Sequence, residues 1–180
     1  MRYVQYIFCL LFFALSINTQ VFATVGVNLA YPINTKDPAH LYGYDASMWY
    51  NPETLKWKKI NLYFDINYSH WWVTNYTFYH STSIIAIAPI LRYSMNTHTN
   101  ISPYAEISIG PGYVTHTHLG TSKLGMHLIF QDRLGFGAFV GPSQRLSIGF
   151  HILHFSNASL CKYNAGITAP LMFDIGYKFE

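Results

Sequence analysis

Apolar and polar residues alternate along most of this chain with a period of two, the pattern of a β-strand with one apolar face. In 60-INLYFDINY-68, apolar and aromatic residues occupy the even positions, and the odd positions include Asn61, Asp65 and Asn67. In 104-YAEISIGPGY-113, the apolar residues fall at odd positions and the even positions are mostly polar or small. Each segment therefore predicts a strand with one apolar face and one polar or small-residue face.

Eight segments of this kind follow one another along the chain. They span residues 24–31, 40–50, 59–73, 82–95, 102–116, 126–141, 145–157 and 169–180. Turn-forming residues separate them, among them Asn51-Pro52 and 141-GPSQ-144. The pattern predicts an all-β domain of eight antiparallel strands.

Composition decides which kind of all-β domain this is. Charged residues make up only 11% of the chain, against about 25% in an average soluble domain. The chain therefore lacks the charged residues that would cover the outer face of a soluble β-sandwich. A membrane barrel instead turns apolar residues toward lipid and polar or small residues into its lumen. Trp49, Trp57, Trp71 and Trp72 lie near predicted strand ends, where an aromatic girdle is expected. We therefore predict an eight-stranded antiparallel transmembrane β-barrel whose lumen is filled by side chains.

The N-terminus has the features of a secretory signal. Arg2 precedes the apolar run 7-IFCLLFFAL-15, and Ala23 ends a small-x-small cleavage motif. The apolar run is too short to cross a bilayer as a helix. We predict that residues 1–23 form a cleaved signal peptide and that residues 24–180 form an outer-membrane barrel.

The seventh segment ends with two polar residues on its apolar face. In 150-FHILHFSNASL-160, His154 and Ser156 occupy the positions at which the alternation calls for apolar residues. If both chain termini lie in the periplasm, this strand runs outward, so the pair lies on the outer wall level with the outer leaflet. Polar groups facing lipid cost free energy unless they are satisfied or functional.

The pair has two interpretations. Residues i and i+2 of a strand point the same way with Cα atoms about 6.6 Å apart, so the His154 imidazole could accept the Ser156 proton as a base accepts that of a nucleophile. An N–H of Asn157 could then stabilise an oxyanion. Alternatively, these residues are a polar strand end that reaches interfacial water.

Longer motifs around the pair carry a family resemblance. The segment 154-HFSNASL-160, followed by 164-NAGI-167, resembles the C-terminal signature of the outer-membrane lipid A 3-O-deacylases of the PagL type. The segment 130-FQDRLGFGAFVG-141 resembles the strand that precedes this signature. The resemblance is specific over residues 126–180 and architectural before them.

The resemblance implies an activity and residue roles. Members of the family are eight-stranded barrels that hydrolyse the ester-linked 3-hydroxyacyl chain at the 3-position of lipid A by a serine esterase mechanism. It implies His154 as the general base, Ser156 as the nucleophile and Asn157 as an oxyanion contributor. It implies a lipid A or lipopolysaccharide substrate in a Gram-negative outer membrane. We expect no cofactor, and no metal, because the histidines of 115-THTH-118 have no carboxylate or third ligand nearby in the sequence.

One position departs from the family pattern. The acidic member of the triad follows the Asn-x-Gly-Ile stretch in the family, and here that position is Thr168. A hydroxyl can accept a hydrogen bond from an imidazole but cannot stabilise an imidazolium by charge. In serine proteases, neutralising the triad acid lowers kcat by about 10⁴-fold.

A replacement acid follows from strand pairing. If the turn at 141–144 forms a hairpin with Val140 opposite Leu146, His154 lies opposite Asp132, with Cβ atoms about 5 Å apart. Asp132 also falls in the apolar class of its own strand. We therefore predict that Asp132 orients or charges His154. The alternative is that Asp132 pairs with Arg133 or Lys162 at the membrane interface.

Two other functions remain open at this stage. Thr168 favours a non-catalytic barrel associated with lipopolysaccharide, a decayed relative of the enzymes. A barrel that acts in adhesion is disfavoured by its short loops. The net charge of +3 without a basic run gives no support for nucleic-acid binding. The sequence leaves open the preferred acyl chain, any latency, and whether the barrel forms a homodimer.

Overall fold

The computed structural model describes residues 23–36, 38, 40–74, 76–95 and 99–179. Residues 1–22, which hold nearly all of the predicted signal peptide, lie outside this description, so the signal peptide stays a prediction. Within the described ranges, no helix is long and apolar enough to cross a membrane.

The described chain forms strands throughout. In chain order they are β1 (Thr24–Asn34), β2 (Leu41–Asn51), β3 (Lys56–Trp57), β4 (Ile60–Val73), β5 (Ser81–Ser94), β6 (Ile101–Val114), β7 (His118–Leu119), β8 (Ser122–Lys123), β9 (Leu128–Val140), β10 (Leu146–Ser156) and β11 (Ile167–Phe179). The eight long strands pair antiparallel with their neighbours, and β1 also pairs with β11, which closes the sheet. The predicted eight-stranded antiparallel barrel is confirmed.

The two faces of the wall follow the alternation of the sequence. Large apolar side chains cover the outside, with Leu29 55% and Phe136 62% exposed, whereas Ala30 is 2% exposed inside. The lumen is packed with side chains and contains ion pairs between Arg92 and Glu106 and between Arg133 and Asp65. The inside of the barrel is therefore filled rather than open.

Two of the four tryptophans predicted for the aromatic girdle lie on the inner face of the wall, so the prediction is wrong for them. Trp49 and Trp71 are 3% and 0% exposed and pack inside the lumen, in the periplasmic and extracellular apolar clusters respectively. Trp57, by contrast, is exposed, and Trp72 stacks on Tyr42 on the outer wall. Position near a strand end gives the height of a side chain in the membrane, but the parity of the alternation decides its face.

The orientation of the barrel follows from its loops. The two longest connections, 115–127 and 157–166, lie at the end of the barrel opposite to the chain termini. Outer-membrane barrels have short periplasmic turns and longer extracellular loops. The end at which β10 stops, at Ser156, is therefore the extracellular end, as predicted.

Candidate active site

Strand pairing places four side chains in one row across the outer wall. Ile109 of β6 lies opposite Asp132 of β9, Asp132 lies opposite His154 of β10, and His154 lies opposite Thr168 of β11. The predicted hairpin register, with Val140 opposite Leu146, is confirmed. Asp132, His154 and Thr168 are all half-buried on this wall.

A β-bulge turns Thr168 to the outside. Along β11, Met172 and Asp174 face the lumen, so strict alternation would place Thr168 in the lumen as well. The register between β10 and β11 shifts between His151 and Leu153, which leaves one extra residue on β11 beside Pro170. Such an insertion changes the face of the residues beyond it and is common next to active sites. Thr168 consequently reaches His154, with 2.8 Å between its Oγ1 and Nδ1 of the imidazole.

Gly166 holds the imidazole from a second side. Its φ is +73°, and a Cβ atom built on it would lie 2.9 Å from Cε1 of His154. The ring therefore packs directly against backbone that only glycine leaves open. Because Nδ1 is bonded to Thr168, Nε2 is the ring nitrogen that is left to exchange a proton with a nucleophile.

Ser156 is the last residue of β10 and faces the same way as His154. It is half-buried and lies opposite Phe130 of β9. Among the described residues its hydroxyl has no hydrogen-bond partner, unlike the hydroxyl of Thr168. The Ser156 hydroxyl is therefore free to meet a substrate at the extracellular end of the wall.

Asn157 is fully buried and its donors are engaged. Its Nδ2 donates to the carbonyl oxygens of Leu124 and Tyr163, each at 2.6 Å, and lies 2.8 Å from Sγ of Cys161. Its backbone N–H donates to Oδ1 of Asn164 at 2.8 Å. These bonds tie the loop after β10 to the loop after β6. An oxyanion role for Asn157 requires one of them to open, and it stays a prediction.

Asp132 stands apart from every cation on this wall. In the described part of the chain its carboxylate makes no hydrogen bond and no ion pair. Arg133 points to the other face and pairs with Asp65, and the ammonium of Lys162 lies 5.7 Å from the ring centroid of Tyr163. The alternative pairing of Asp132 with Arg133 or Lys162 is therefore absent from the structure. The predicted link from Asp132 to His154 stays a prediction.

Comparison with known proteins identifies the family. The family model for lipid A 3-O-deacylase (PagL) matches residues 42–178. The chain belongs to this family. A curated relative, the lipid A deacylase PagL of Pseudomonas aeruginosa, is 34% identical over 89 residues, which cover 49% of this chain and half of the relative. The lipid A deacylase PagL of Bordetella bronchiseptica is 26% identical over 143 residues, 79% of this chain and 77% of the relative.

A solved structure shares the fold. The crystal structure of the outer membrane enzyme PagL matches with a TM-score of 0.63 and 24% identity, over 86% of this chain and 99% of that one. Family membership and this fold identify the protein as a Gram-negative outer-membrane barrel, as the sequence predicts. The wall that carries His154 is thus a membrane-facing surface.

A groove lies beside His154 on this wall of the PagL-family barrel. It has a volume of about 430 Å³ and is lined mainly by apolar side chains from β6, β9 and β10. Its lining includes Ile107, Ile109, Leu134, Ile152, Asp132 and His154. The imidazole and the carboxylate therefore lie at the edge of an apolar depression that faces the membrane.

A second histidine–hydroxyl contact lies elsewhere on the wall of this PagL-family chain, and the sequence analysis missed it. His70 of β4 lies opposite Ser83 of β5, with 2.9 Å between Nδ1 and Oγ. The signal was the register of the β4–β5 hairpin, which brings together two residues that stand 13 positions apart in the sequence. Across the described residues, no group of three or more His, Cys, Asp or Glu side chains is placed to hold a metal ion.

Proposed function

We propose that this protein is a lipid A 3-O-deacylase, a serine esterase that hydrolyses the ester-linked 3-hydroxyacyl chain at the 3-position of lipid A in the outer leaflet. One observation carries the proposal. His154, bonded to Thr168, and the unbonded hydroxyl of Ser156 share one face at the extracellular end of a lipid-facing wall. The names of the two curated relatives point to the same activity.

The reaction runs in two halves. The Ser156 oxygen attacks the ester carbonyl while its proton passes to Nε2 of His154. The tetrahedral intermediate collapses by breaking the bond between the carbonyl carbon and the sugar oxygen, which takes the proton back from the imidazolium. Water then attacks the acyl-serine while its proton passes to His154. The bond between the carbonyl carbon and the Ser156 oxygen breaks, the imidazolium returns the proton to that oxygen, and a 3-hydroxy fatty acid is released.

In each half of the reaction His154 becomes a positively charged imidazolium, which neighbouring groups must stabilise. Thr168 holds the ring in place through its hydroxyl but adds no charge. Asp132 lies on β9, on the side of β10 away from Thr168, and supplies a negative charge. Its Cβ atom is about 5 Å from the Cβ atom of His154, the usual separation of directly opposed residues. An opposite charge on the neighbouring strand favours the imidazolium that forms in each half of the reaction. Asn157 contributes by holding the loop that follows the nucleophile.

The groove beside His154 accepts the acyl chain of the substrate. Its lining is mainly apolar, and Asp132 and His154 lie at its edge. A second apolar depression on the wall shares Ile107 and Leu134 with it and continues toward β4 and β5. A chain lying along this track extends into the membrane while its ester stays near Ser156.

Mass spectrometry of lipid A tests the proposal. Cells that express the wild type are expected to lose the mass of one 3-hydroxyacyl group from their lipid A, and cells that express Ser156→Ala are not. Ser83→Ala is the matched control, because it removes a wall serine that contacts a different histidine, His70; it is expected to behave as the wild type.

A non-catalytic barrel associated with lipopolysaccharide is the second candidate, favoured by Thr168 at the position of the family acid. Lipid A that stays intact with all three proteins, each shown by heat-modifiable gel mobility to be folded, would contradict deacylation and support this second candidate.

We also propose that the protein is exported by the signal peptide at residues 1–23. The expected N-terminus of the barrel in the outer membrane is Thr24. N-terminal sequencing of the membrane-inserted protein checks this, and a mature chain that begins with Met1 would contradict it.

A further inference from the structure

Two lysines meet at one exposed aromatic ring beside the candidate active site. The Lys123 ammonium lies 3.7 Å from the ring centroid of Tyr163, and the Lys162 ammonium lies 5.7 Å from it. Neither lysine forms an ion pair within the described ranges. Both ammonium groups are thus held at the same ring, and an anion that contacts both would offset the repulsion between the like charges.

Hydrogen bonds hold the backbone that carries the two lysines close to Ser156. Asn157, the residue after Ser156, donates from Nδ2 to the carbonyl oxygens of Leu124 and Tyr163. The N–H of Ala165 donates to the carbonyl oxygen of Lys123 at 3.1 Å. Each lysine thus belongs to, or directly adjoins, a segment bonded to the residue next to the nucleophile.

Close backbone packing supports the same connection. Gly125 has a φ of +76°, and a Cβ atom there would lie 2.5 Å from Sγ of Cys161 and 2.9 Å from the carbonyl oxygen of Tyr163. The two loops therefore approach each other closely at the lysine pair. A rigid connection of this kind keeps a bound headgroup at a constant distance from Ser156.

The surrounding extracellular surface is positive. The described residues of the four extracellular loops include three lysines and no carboxylate; Asp37 of the first loop lies outside the description. The third lysine, Lys36, is anchored near the site because its N–H donates to the carbonyl oxygen of Thr168 at 3.3 Å. A substrate that approaches Ser156 from the outer leaflet therefore meets positive charge on the sugar side of its ester.

We propose that Lys123 and Lys162 bind a phosphate monoester on the sugar headgroup of the substrate lipid. This inference rests on the proposed deacylase function and names the part of the headgroup that the site recognises. A phosphate monoester carries about −1.5 to −2 charges at neutral pH, and lysines bind it through charge-assisted hydrogen bonds. Held there, the sugar presents its acyl ester to Ser156, so the pair acts on substrate binding rather than on the chemical step.

Binding measurements on the full mature barrel test this without relying on catalysis. The Ser156→Ala protein in detergent micelles is titrated with lipid A that carries its phosphates, with the same lipid A after removal of its phosphates, and with phosphatidylglycerol. We expect about tenfold tighter binding of the phosphorylated lipid A than of either other lipid, because a charge-assisted hydrogen bond from a lysine adds net affinity.

The variants isolate the lysines. Adding Lys123→Gln and Lys162→Gln is expected to abolish the preference for phosphorylated lipid A. Lys58→Gln is the matched control, because the Lys58 ammonium lies 5.3 Å from the Trp57 ring centroid on the periplasmic side; it is expected to keep the preference. Equal affinity for the two forms of lipid A, or a preference that survives the double variant, would overturn the proposal. Equal binding of phosphatidylglycerol and phosphorylated lipid A would overturn it in favour of a general anionic-lipid surface.

Kinetics separates this inference from the proposed activity. With Ser156 intact, the two glutamine substitutions should raise KM for phosphorylated lipid A about tenfold, with kcat unchanged and with no effect on dephosphorylated lipid A. Phosphate-dependent binding without any hydrolysis by the wild type would refute the deacylase and leave the phosphate site standing. Hydrolysis without a phosphate preference would refute the phosphate site alone.

Discussion

Two histidine–hydroxyl contacts between neighbouring strands lie on the outer wall of this barrel, and they differ in their surroundings. His154 meets Thr168 at 2.8 Å between β10 and β11, and His70 meets Ser83 at 2.9 Å between β4 and β5. Both imidazoles are half-buried near the extracellular end. A search for a histidine bonded to a hydroxyl on the neighbouring strand would return both.

The surroundings separate the two contacts. His154 has a serine two residues further along the same face, a carboxylate on the neighbouring strand and an apolar groove beside it. His70 is enclosed by aromatic rings, with centroids 6.1 Å from Tyr44 and 5.8 Å from Trp72, and its partner Ser83 lies 3.0 Å from the Tyr68 hydroxyl. Interfacial belts of amphipathic rings have this composition. The comparison teaches that a free nucleophile and space for an acyl chain, not the histidine contact, distinguish the candidate site.

Removing each imidazole tests this comparison with the largest expected effect. His154→Ala should lower the rate of lipid A deacylation by about 10⁴-fold or more, since loss of the base disables the whole catalytic unit. His70→Ala should leave the rate unchanged. The rates are measured by release of the 3-hydroxy fatty acid from purified lipid A in detergent. A comparable loss in both variants would mean that the two regions do not differ in function.

Adding a charge to each contact sharpens the comparison in the opposite direction. Thr168→Glu places a carboxylate where Nδ1 of His154 already has a partner and should raise kcat, by at most about 10⁴-fold. Ser83→Glu adds the same group beside His70 and should change nothing in deacylation. Pre-steady-state release of fatty acid reports the chemical step. A kcat for Thr168→Glu at or below that of the wild type would show that His154 gains nothing from charge at this position.

Disturbing the support of the imidazole should have a smaller effect. Gly166→Ala introduces a methyl group against Cε1 of His154 and should lower kcat by about 10²-fold, the cost of roughly 1 Å of misplacement. Gly141→Ala is the matched control, because Gly141 also has a positive φ, +91°, but open space around it. It carries the same backbone strain without the contact, so its kcat should equal that of the wild type. Equal losses in the two variants would assign the effect to strain alone.

Much of this site could be predicted from the sequence because it depends on local alternation and one tight turn. Period two places His154 and Ser156 on the outer wall, and the short hairpin at 141–144 sets the register that brings Asp132 opposite His154. Both are short-range consequences of strand geometry. The same alternation also determines the lumen faces of Trp49 and Trp71, so that error came from using their height in the membrane alone.

The rest of the site depends on irregular or distant contacts. Strict alternation places Thr168 in the lumen, and only the bulge beside Pro170 turns it to His154. Likewise, Asn157 is occupied by carbonyl oxygens of Leu124 and Tyr163 because two loops pack together. A single sequence carries no periodic signal for a bulge or for loop packing, so these features emerge only from the folded chain.

The smallest expected effect belongs to Asp132. It decides whether the carboxylate on β9, opposite His154, contributes to catalysis. Asp132→Asn keeps the size of the side chain and removes its charge, so it should lower kcat about tenfold with KM unchanged, because the imidazolium that forms in each half of the reaction loses a nearby opposite charge. In the Thr168→Glu background the same substitution should cost little, because the imidazolium then has a direct counter-charge.

The two backgrounds together separate an electrostatic role from a structural one. A loss that is equal in both would mean that Asp132 acts through packing, because packing is indifferent to a charge added across the ring. No loss in either would leave His154 with Thr168 as its sole partner. The candidate site would then differ from the His70 contact by its nucleophile and its groove alone.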